Sequence, residues 1–229
     1  LTYLKRLPAQ VLKIDQSFVR DMLQDSDDLA ILEGILGLAT AFRRTAIAEG
    51  VETVAHGETL LRLGCDLGQG YGIARPMAAA DLPAWRQRWR PDPRWAHAHC
   101  LDRELMPVLI AGVEHRGWIV ALGEHLDGRR DAPPPLDHHQ CRFGQWLDKT
   151  IHQPRHAATF ATIETLHLRV HALAADLLKR RSQGHDVEAL AGMAELHALW
   201  DALLVHLEYL LKDDPRSLAP SSGGGSNCR

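Results

Sequence analysis

The 229-residue chain has no apolar run approaching about 18 residues, the length a membrane-crossing helix needs, so nothing in it is expected to span a bilayer. It also has no signal peptide, and a cytoplasmic location is the expectation, with an upstream membrane segment left open. It lacks a basic field: 26 Lys and Arg against 29 Asp and Glu leave a net charge of −3, which excludes the electrostatic footprint of a nucleic-acid binder. It lacks a disulfide framework, because Cys65, Cys100, Cys141 and Cys228 are scattered, as fits a reducing compartment. What remains is ordinary soluble composition, 45% hydrophobic and 24% charged, in a length that suits one or two domains.

Histidine is plentiful, with 14 in the chain. His167 and His171 are one helical turn apart and share a face with the apolar stripe Ile163, Leu166, Val170, Leu173, Ala174 and Leu177. The pair therefore points into a helical interior, either as a half-built metal site or as core histidines satisfied by neighbours. Upstream, Leu101, Leu105, Val108, Gly112, Ile119, Leu122 and Leu126 form a second stripe in which His115 fills one slot. Between the two lies a Pro-rich crossing, 131–147, ending in Cys141 and a short apolar turn with Phe143, Trp146 and Leu147. Folding that turn onto the helices delivers a thiolate. Three imidazoles and one sulfur suit zinc, whereas calcium and magnesium prefer oxygen.

Other histidines compete for the role. His197 is the strongest rival, on an expected fourth helix, His185 to Lys212, whose stripe runs through Leu190, Met193, His197, Trp200, Leu204, Leu207 and Leu211. Gly184 separates that helix from the third as a C-cap. His152 and His156 flank Pro154, which argues against a shared helix interior. His138 and His139 sit on a polar loop, and His125 and His206 on polar flanks, where solvated histidines are the expectation.

Residues 1–90 change period. Val11 to Asp15 reads as a strand, Asp27 to Arg43 as a helix, Thr45 to Glu49 as a strand, His56 to Leu63 as a helix and Gly70 to Ala74 as a third short strand. Alternating strand and helix implies right-handed parallel units, with chemistry at strand C-termini. Lys13 and Glu49 stand at such ends. Cys65 reads as a small buried apolar residue.

The order H-x-x-W at His115, C-x-x-G-x-W-L at Cys141 and H-x-x-x-H at His167 resembles the chemoreceptor zinc-binding (CZB) domain, over about residues 97–213. That resemblance implies an all-α four-helix bundle with His115, Cys141, His167 and His171 as zinc ligands, in a family that occurs on chemoreceptors and cyclic di-GMP enzymes and often dimerises. Residues 4–19 with their Lys13-Ile-Asp15, Ala48-Glu-Gly-Val-Glu-Thr53, and Gly64-Cys-Asp-Leu-Gly-Gln-Gly-Tyr71 followed by Ala74-Arg-Pro76 resemble the C-terminal portion of an EAL domain, a cyclic di-GMP phosphodiesterase. By that resemblance the fold is part of a (β/α) TIM-like barrel using two Mg2+ or Mn2+ ions. Lys13 and Glu49 are then catalytic, with Glu49 on a metal. Asp15, Glu52 and Gln69 support the site.

A closed barrel takes about 250 residues, and the family's remaining acidic and asparagine motifs belong upstream of Leu1. The expectation is a C-terminal piece of a longer enzyme, inactive by itself. Its organisation reads as 1–90 EAL part, 91–96 linker within a junction near 86–98, 97–213 zinc-binding bundle and 214–229 disordered tail. Zinc, or oxidation of Cys141, is the expected input, acting on hydrolysis of cyclic di-GMP; either direction, activation or inhibition, fits. Two rivals remain. One is a zinc or redox module on a degenerate EAL receptor that binds the dinucleotide without cleaving it. The other is a hemerythrin-like di-iron bundle, which wants carboxylates one turn after its histidines, where this chain has Ile119, His171 and Ala175.

Overall fold

The computed structural model describes residues 8–102, 104–150 and 157–212. It is mostly helical, with one small parallel sheet, and it divides into two compact units at Asp102 and Arg103. Residues 4–7 of the first EAL-like motif, His152 and His156, and the tail with Cys228 lie outside the described residues.

The sheet of the first unit is β1 (Val11–Ile14), β2 (Thr45–Glu49) and β3 (Gly68–Gln69), in that order and parallel throughout. Register pairs Lys13 with Ile47 and Glu49 with Gln69, which brings three polar side chains to one edge of the sheet. Between the strands run α1 (Gln16–Asp21), α2 (Ser26–Ala41) and α3 (Val54–Arg62). Each starts at a side-chain cap, Asp15, Asp25 and Thr53 respectively, whose oxygen accepts a backbone N–H that the first turn leaves free. Leu29, Leu32, Leu36 and Ala39 form the buried stripe of α2.

The third strand differs from expectation: it is Gly68–Gln69, and the chain turns where Gly70 to Ala74 was to extend. Gln69 and Val51 explain this. The Val51 N–H donates to Gln69 O at 3.0 Å and the Gly72 N–H to Val51 O at 2.9 Å, so the chain after β3 curls around the loop that follows β2. A side chain at Gly70 would collide with the Val51 backbone. Beyond the sheet come α4 (Leu82–Arg88) and α5 (Pro93–His97), and α5 packs on α3.

The second unit contains α6 (Met106–Leu126), α7 (Arg142–Thr150), α8 (Ala157–Ser182), α9 (Asp186–Ala191) and α10 (Met193–Lys212) around a shared apolar core. On α6 the buried positions Val108, Ala111, His115, Ile119, Leu122 and Leu126 step by three and four. Leu101 of the expected stripe belongs to the first unit, and Ala111 is buried in place of Gly112. The expected apolar turn after Cys141 is a full helix, α7. On α8 the buried Phe160, Ile163, His167, Val170, His171, Ala174 and Leu177 reproduce the stripe read from sequence, with Leu166 and Leu173 at its half-buried margin. Gly184 follows α8 at φ +82°, the left-handed value a helix C-cap uses.

The expected fourth helix is two. A one-residue interruption falls at Gly192, where Leu177 of α8 packs so closely that a side chain would collide. α10 is also rotated from its predicted face: Leu196, Trp200, Leu203, Leu207 and Leu210 are buried, and His197 is exposed. The rotation exchanges an imidazole for leucines. Leucines lose no polar hydration on burial, whereas the His197 ring would.

Candidate metal centre

Two helices present three imidazoles to one point, and the turn before α7 adds a sulfur. Ligand-capable atoms of His115, Cys141, His167 and His171 all lie within 4.8 Å of one another. His167 Nε2 is 3.1 Å from His115 Nε2 and 3.4 Å from Cys141 Sγ. Zinc bonds of about 2.0–2.1 Å to nitrogen and 2.3 Å to sulfur place tetrahedral neighbours roughly 3.3–3.6 Å apart. The apices already stand near that spacing.

Hydrogen bonds set the tautomers. His115 Nδ1–H donates to Ala111 O at 3.0 Å, and His171 Nδ1–H donates to Leu136 O at 2.8 Å. Each leaves an Nε2 lone pair aimed inward, the outer-nitrogen arrangement that metal-ligating histidines use. His171 Nε2 is buried without a hydrogen-bond partner. A proton on His167 Nε2 would satisfy the His115 lone pair alone, whereas one cation satisfies all four groups. The donor set therefore fits zinc. Among the described residues no carboxylate joins the cluster, which removes the ligand type a di-iron centre needs.

Burial keeps the imidazoles neutral. His115 is pushed down to about 4 and His167 to about 2, both chiefly by loss of hydration, and His171 is lowered for the same reason. Burial pushes the Cys141 thiol up, against the N–H groups of Gly144 and Phe143 that favour the thiolate. Without a cation the cluster is uncharged, and taking up zinc releases the thiol proton.

The motif spacings have local causes. In C-x-x-G, the Gly144 N–H donates to Cys141 Sγ at 3.1 Å, and any side chain at Gly144 would collide with the His138 carbonyl. Phe143 and Leu147, both buried, hold α7 down. In H-x-x-W, Trp118 lies one turn beyond His115, and its Nε1–H donates to Pro135 O at 2.7 Å. Trp118 and His171 together thus pin the Pro-rich crossing that delivers Cys141. Trp200 of α10 stacks on His115, with centroids 5.2 Å apart and planes 11° apart. The H-x-x-W spacing includes Trp118; nothing local could have flagged Trp200 as a neighbour of the site. A cleft of about 500 Å³, flanked by the Arg142–Glu114 ion pair, opens onto Cys141, His115 and His171.

The competing histidines stand elsewhere. His197 Nδ1–H donates to its own helix at Met193 O, 2.6 Å, on the exposed face. His139 pairs with Asp148 at 2.9 Å. His138 comes closer than a solvated loop residue would, its ring 6.1 Å from His167 and 6.2 Å from His171, and its carbonyl accepts the Cys141 S–H at 3.2 Å. His125 Nδ1 bonds Arg130 O at 2.9 Å, and His206 is half-buried.

At the sheet edge, Lys13 Nζ pairs with Glu49 Oε1, and Gln69 Nε2 donates to the same oxygen at 3.1 Å. These three meet. Lys13 is 55% exposed, so the cluster faces water. Asp15 does not join it: its carboxylate accepts Ser17 N–H at 2.8 Å and Ser17 Oγ–H at 2.7 Å, capping α1 and lying below the usual carboxylate range for that reason. Glu52 is exposed, and its backbone N–H donates to His56 Nδ1 at 3.3 Å. Cys65 is buried.

Residues 1–76 match the family model of the EAL domain, and residues 115–178, which include all four cluster residues, match that of the chemoreceptor zinc-binding domain. Bifunctional diguanylate cyclase/cyclic di-GMP phosphodiesterase MucR of Pseudomonas aeruginosa is 50% identical over 84 residues, 37% of this chain and 12% of the relative. Oxygen sensor protein DosP of Escherichia coli is 40% identical over 85 residues, 37% and 11%. Cyclic di-GMP phosphodiesterase NbdA of P. aeruginosa is 37% identical over 92 residues, 40% and 12%. The chain thus spans about an eighth of the length of these relatives. A solved structure titled PaMucR Phosphodiesterase, c-di-GMP complex is 49% identical, covering 35% of this chain and 33% of that one, with a TM-score of 0.35. Among the described residues no helix is long and apolar enough to cross a membrane.

Proposed function

From a chain in which EAL-domain sequence precedes chemoreceptor zinc-binding sequence, we propose the C-terminal part of a cyclic di-GMP phosphodiesterase whose output is regulated by zinc. The observation that carries this reading is the convergence of His115, Cys141, His167 and His171 within 4.8 Å, inside the segment matched by the zinc-binding family. On this reading residues 1–90 are part of a TIM-like barrel, 91–96 a linker, and 97–213 a four-helix bundle that pairs as a homodimer in the cytoplasm. Zinc, when bound, supplies four bonds that fasten α6, α8 and the turn before α7 to one another. His115, His167 and His171 hold it from the helices, and Cys141 from the turn. The turn is tied by a single ligand, so it loosens first when the ion leaves. Oxidation of Cys141 through the adjoining cleft is a second input to the same event.

In the phosphodiesterase half, Glu49 would hold one Mg2+ or Mn2+ ion, which supplies an activated water and charge neutralisation. Lys13 orients the water or the phosphate, and Gln69 orients Glu49. Asp15 and Glu52 support the site through the backbone they cap or carry. Partial coverage of the relatives makes cyclic di-GMP hydrolysis a property of the longer protein.

Zinc competition with a chromophoric chelator, on the 229-residue chain and three variants, tests the metal half. One zinc per chain is expected, with affinity lowered at least about tenfold in Cys141→Ala and His115→Ala and unchanged in His197→Ala. Loss of affinity in His197→Ala with none in Cys141→Ala would replace this ligand set. For the enzyme half, Lys13→Ala and Glu49→Ala in the intact gene should abolish hydrolysis and leave the fold; unchanged turnover would remove both residues from the catalytic machinery, and an intact parent that binds the dinucleotide without cleaving it would put the receptor reading in place of the enzyme.

A further inference from the structure

α3 is held at both ends by a piece of chain that follows it by more than thirty residues. Trp95, in α5, lays its indole on Gly57, where a methyl group would come within 2.5–2.7 Å of the ring, and its Nε1–H donates to Val54 O at 2.8 Å. Val54 is the first residue of α3. Six residues after Trp95, the Leu101 N–H donates to Arg62 O at 2.9 Å, and Arg62 is the last residue of the same helix. Leu101 is itself buried. The segment 95–101 therefore spans α3 from end to end, with a hydrogen bond at each terminus and an indole seated where the helix has no Cβ.

α3 in turn holds the loop that follows β2. His56 is buried in its first turn, and its Nδ1 accepts the Glu52 N–H at 3.3 Å; Thr53 Oγ1 caps the helix by accepting the His56 N–H at 3.2 Å. Glu52 is three residues from Glu49, which carries the ion pair to Lys13. On the downstream side, four residues separate Leu101 from the start of α6 at Met106.

We infer that residues 95–101 are a clamp that fixes α3 and, through His56, positions the Glu49–Glu52 loop, so that a change in order at the start of the metal-binding unit reaches that loop through Trp95. Trp95 is a positioning residue: it touches no reacting atom and acts through α3. The inference rests on the proposed reading of the loop as part of a phosphodiesterase site and of the second unit as a zinc module.

Amide hydrogen exchange on the full 229-residue chain tests it without any need for turnover. Trp95→Ala should speed exchange at residues 52–57 by tenfold or more, while the amides of Leu29, Leu32 and Leu36 in α2 stay unchanged. Gly57→Ala, which expels the indole from the other side, should reproduce the pattern, and Trp95→Phe, which keeps a six-membered aromatic ring but loses the pyrrole ring and its N–H, should restore part of the protection. Zinc removal from the parent chain should raise exchange at the same amides, and have no further effect in Trp95→Ala. Unchanged exchange at 52–57 in Trp95→Ala, an increase spread equally over α2, or no response to zinc removal in a chain shown to bind one equivalent would each overturn the inference. Zinc stoichiometry on the same samples separates that failure from failure of the metal reading, in which no zinc would be bound at the outset.

Discussion

The two units place polar groups in opposite environments. In the first, Lys13, Glu49 and Gln69 meet at a sheet edge with Lys13 more than half in water. In the second, three histidines are 1–4% exposed and close on one sulfur under aromatic rings. Exposed charges satisfy themselves by pairing and by hydration, so the first cluster is content as it stands. Buried neutral imidazoles have surrendered hydration, and His171 Nε2 has nothing in exchange. The first unit relies on its apolar helix faces, whereas the second also carries a buried polar site whose donors fit a cation.

The largest expected consequence is the response to zinc. Chelation should lower the melting temperature of the second unit by more than about 10 °C, since metal-binding free energy is ordering free energy of several kcal/mol or more. The calorimetric transition of the first unit should not move. Calorimetry with and without chelator measures both, and an equal shift in the two would erase the contrast.

Acid should separate the units next. The ordinary histidine pKa of 6.5 is lowered at His115, His167 and His171 of the second unit and at His56 of the first. Depressed folded-state values mean that the unfolded chain takes up protons first as the pH falls. The stability these groups contribute is therefore complete above about pH 6.5 and declines from there towards pH 4, where His115 itself protonates in the fold. Zinc-free denaturant titrations at pH 7, 6 and 5 should give a slope of up to about 1.4 kcal/mol per pH unit for each imidazole. A second unit no steeper than the first would contradict the burial argument.

The smallest effect belongs to the sheet edge. Lys13→Ala or Glu49→Gln should change the stability of the first unit by less than about 1 kcal/mol, because the pair is solvated. A loss above about 2 kcal/mol, by urea denaturation, would mean that the pair is structural.

How much of this was legible in the sequence depended on period. The stripe of α8 and the strands at Val11 and Thr45 were, because a 3.6-residue or two-residue repeat of apolar residues survives any tertiary context. The convergence of the four side chains was too, since His115, His167 and His171 each occupy an apolar slot and Cys141 precedes an apolar turn. The face of α10 was not: stripes through His197 and through Leu196 differ by one residue, and only packing against α8 decides between them. Nor was the end of β3, where a close approach to Val51 turns the chain. The clamp on α3 was hidden for a similar reason, because Trp95 and Gly57 meet only in three dimensions.

X-ray absorption at the zinc edge of the purified chain reads the donor set at His115, Cys141, His167 and His171 directly. One zinc per chain is expected, bound by three nitrogens at about 2.0–2.1 Å and one sulfur at about 2.3 Å, with the sulfur lost in Cys141→Ala. A zinc shell without sulfur, or a chain that retains no zinc, would contradict that donor set.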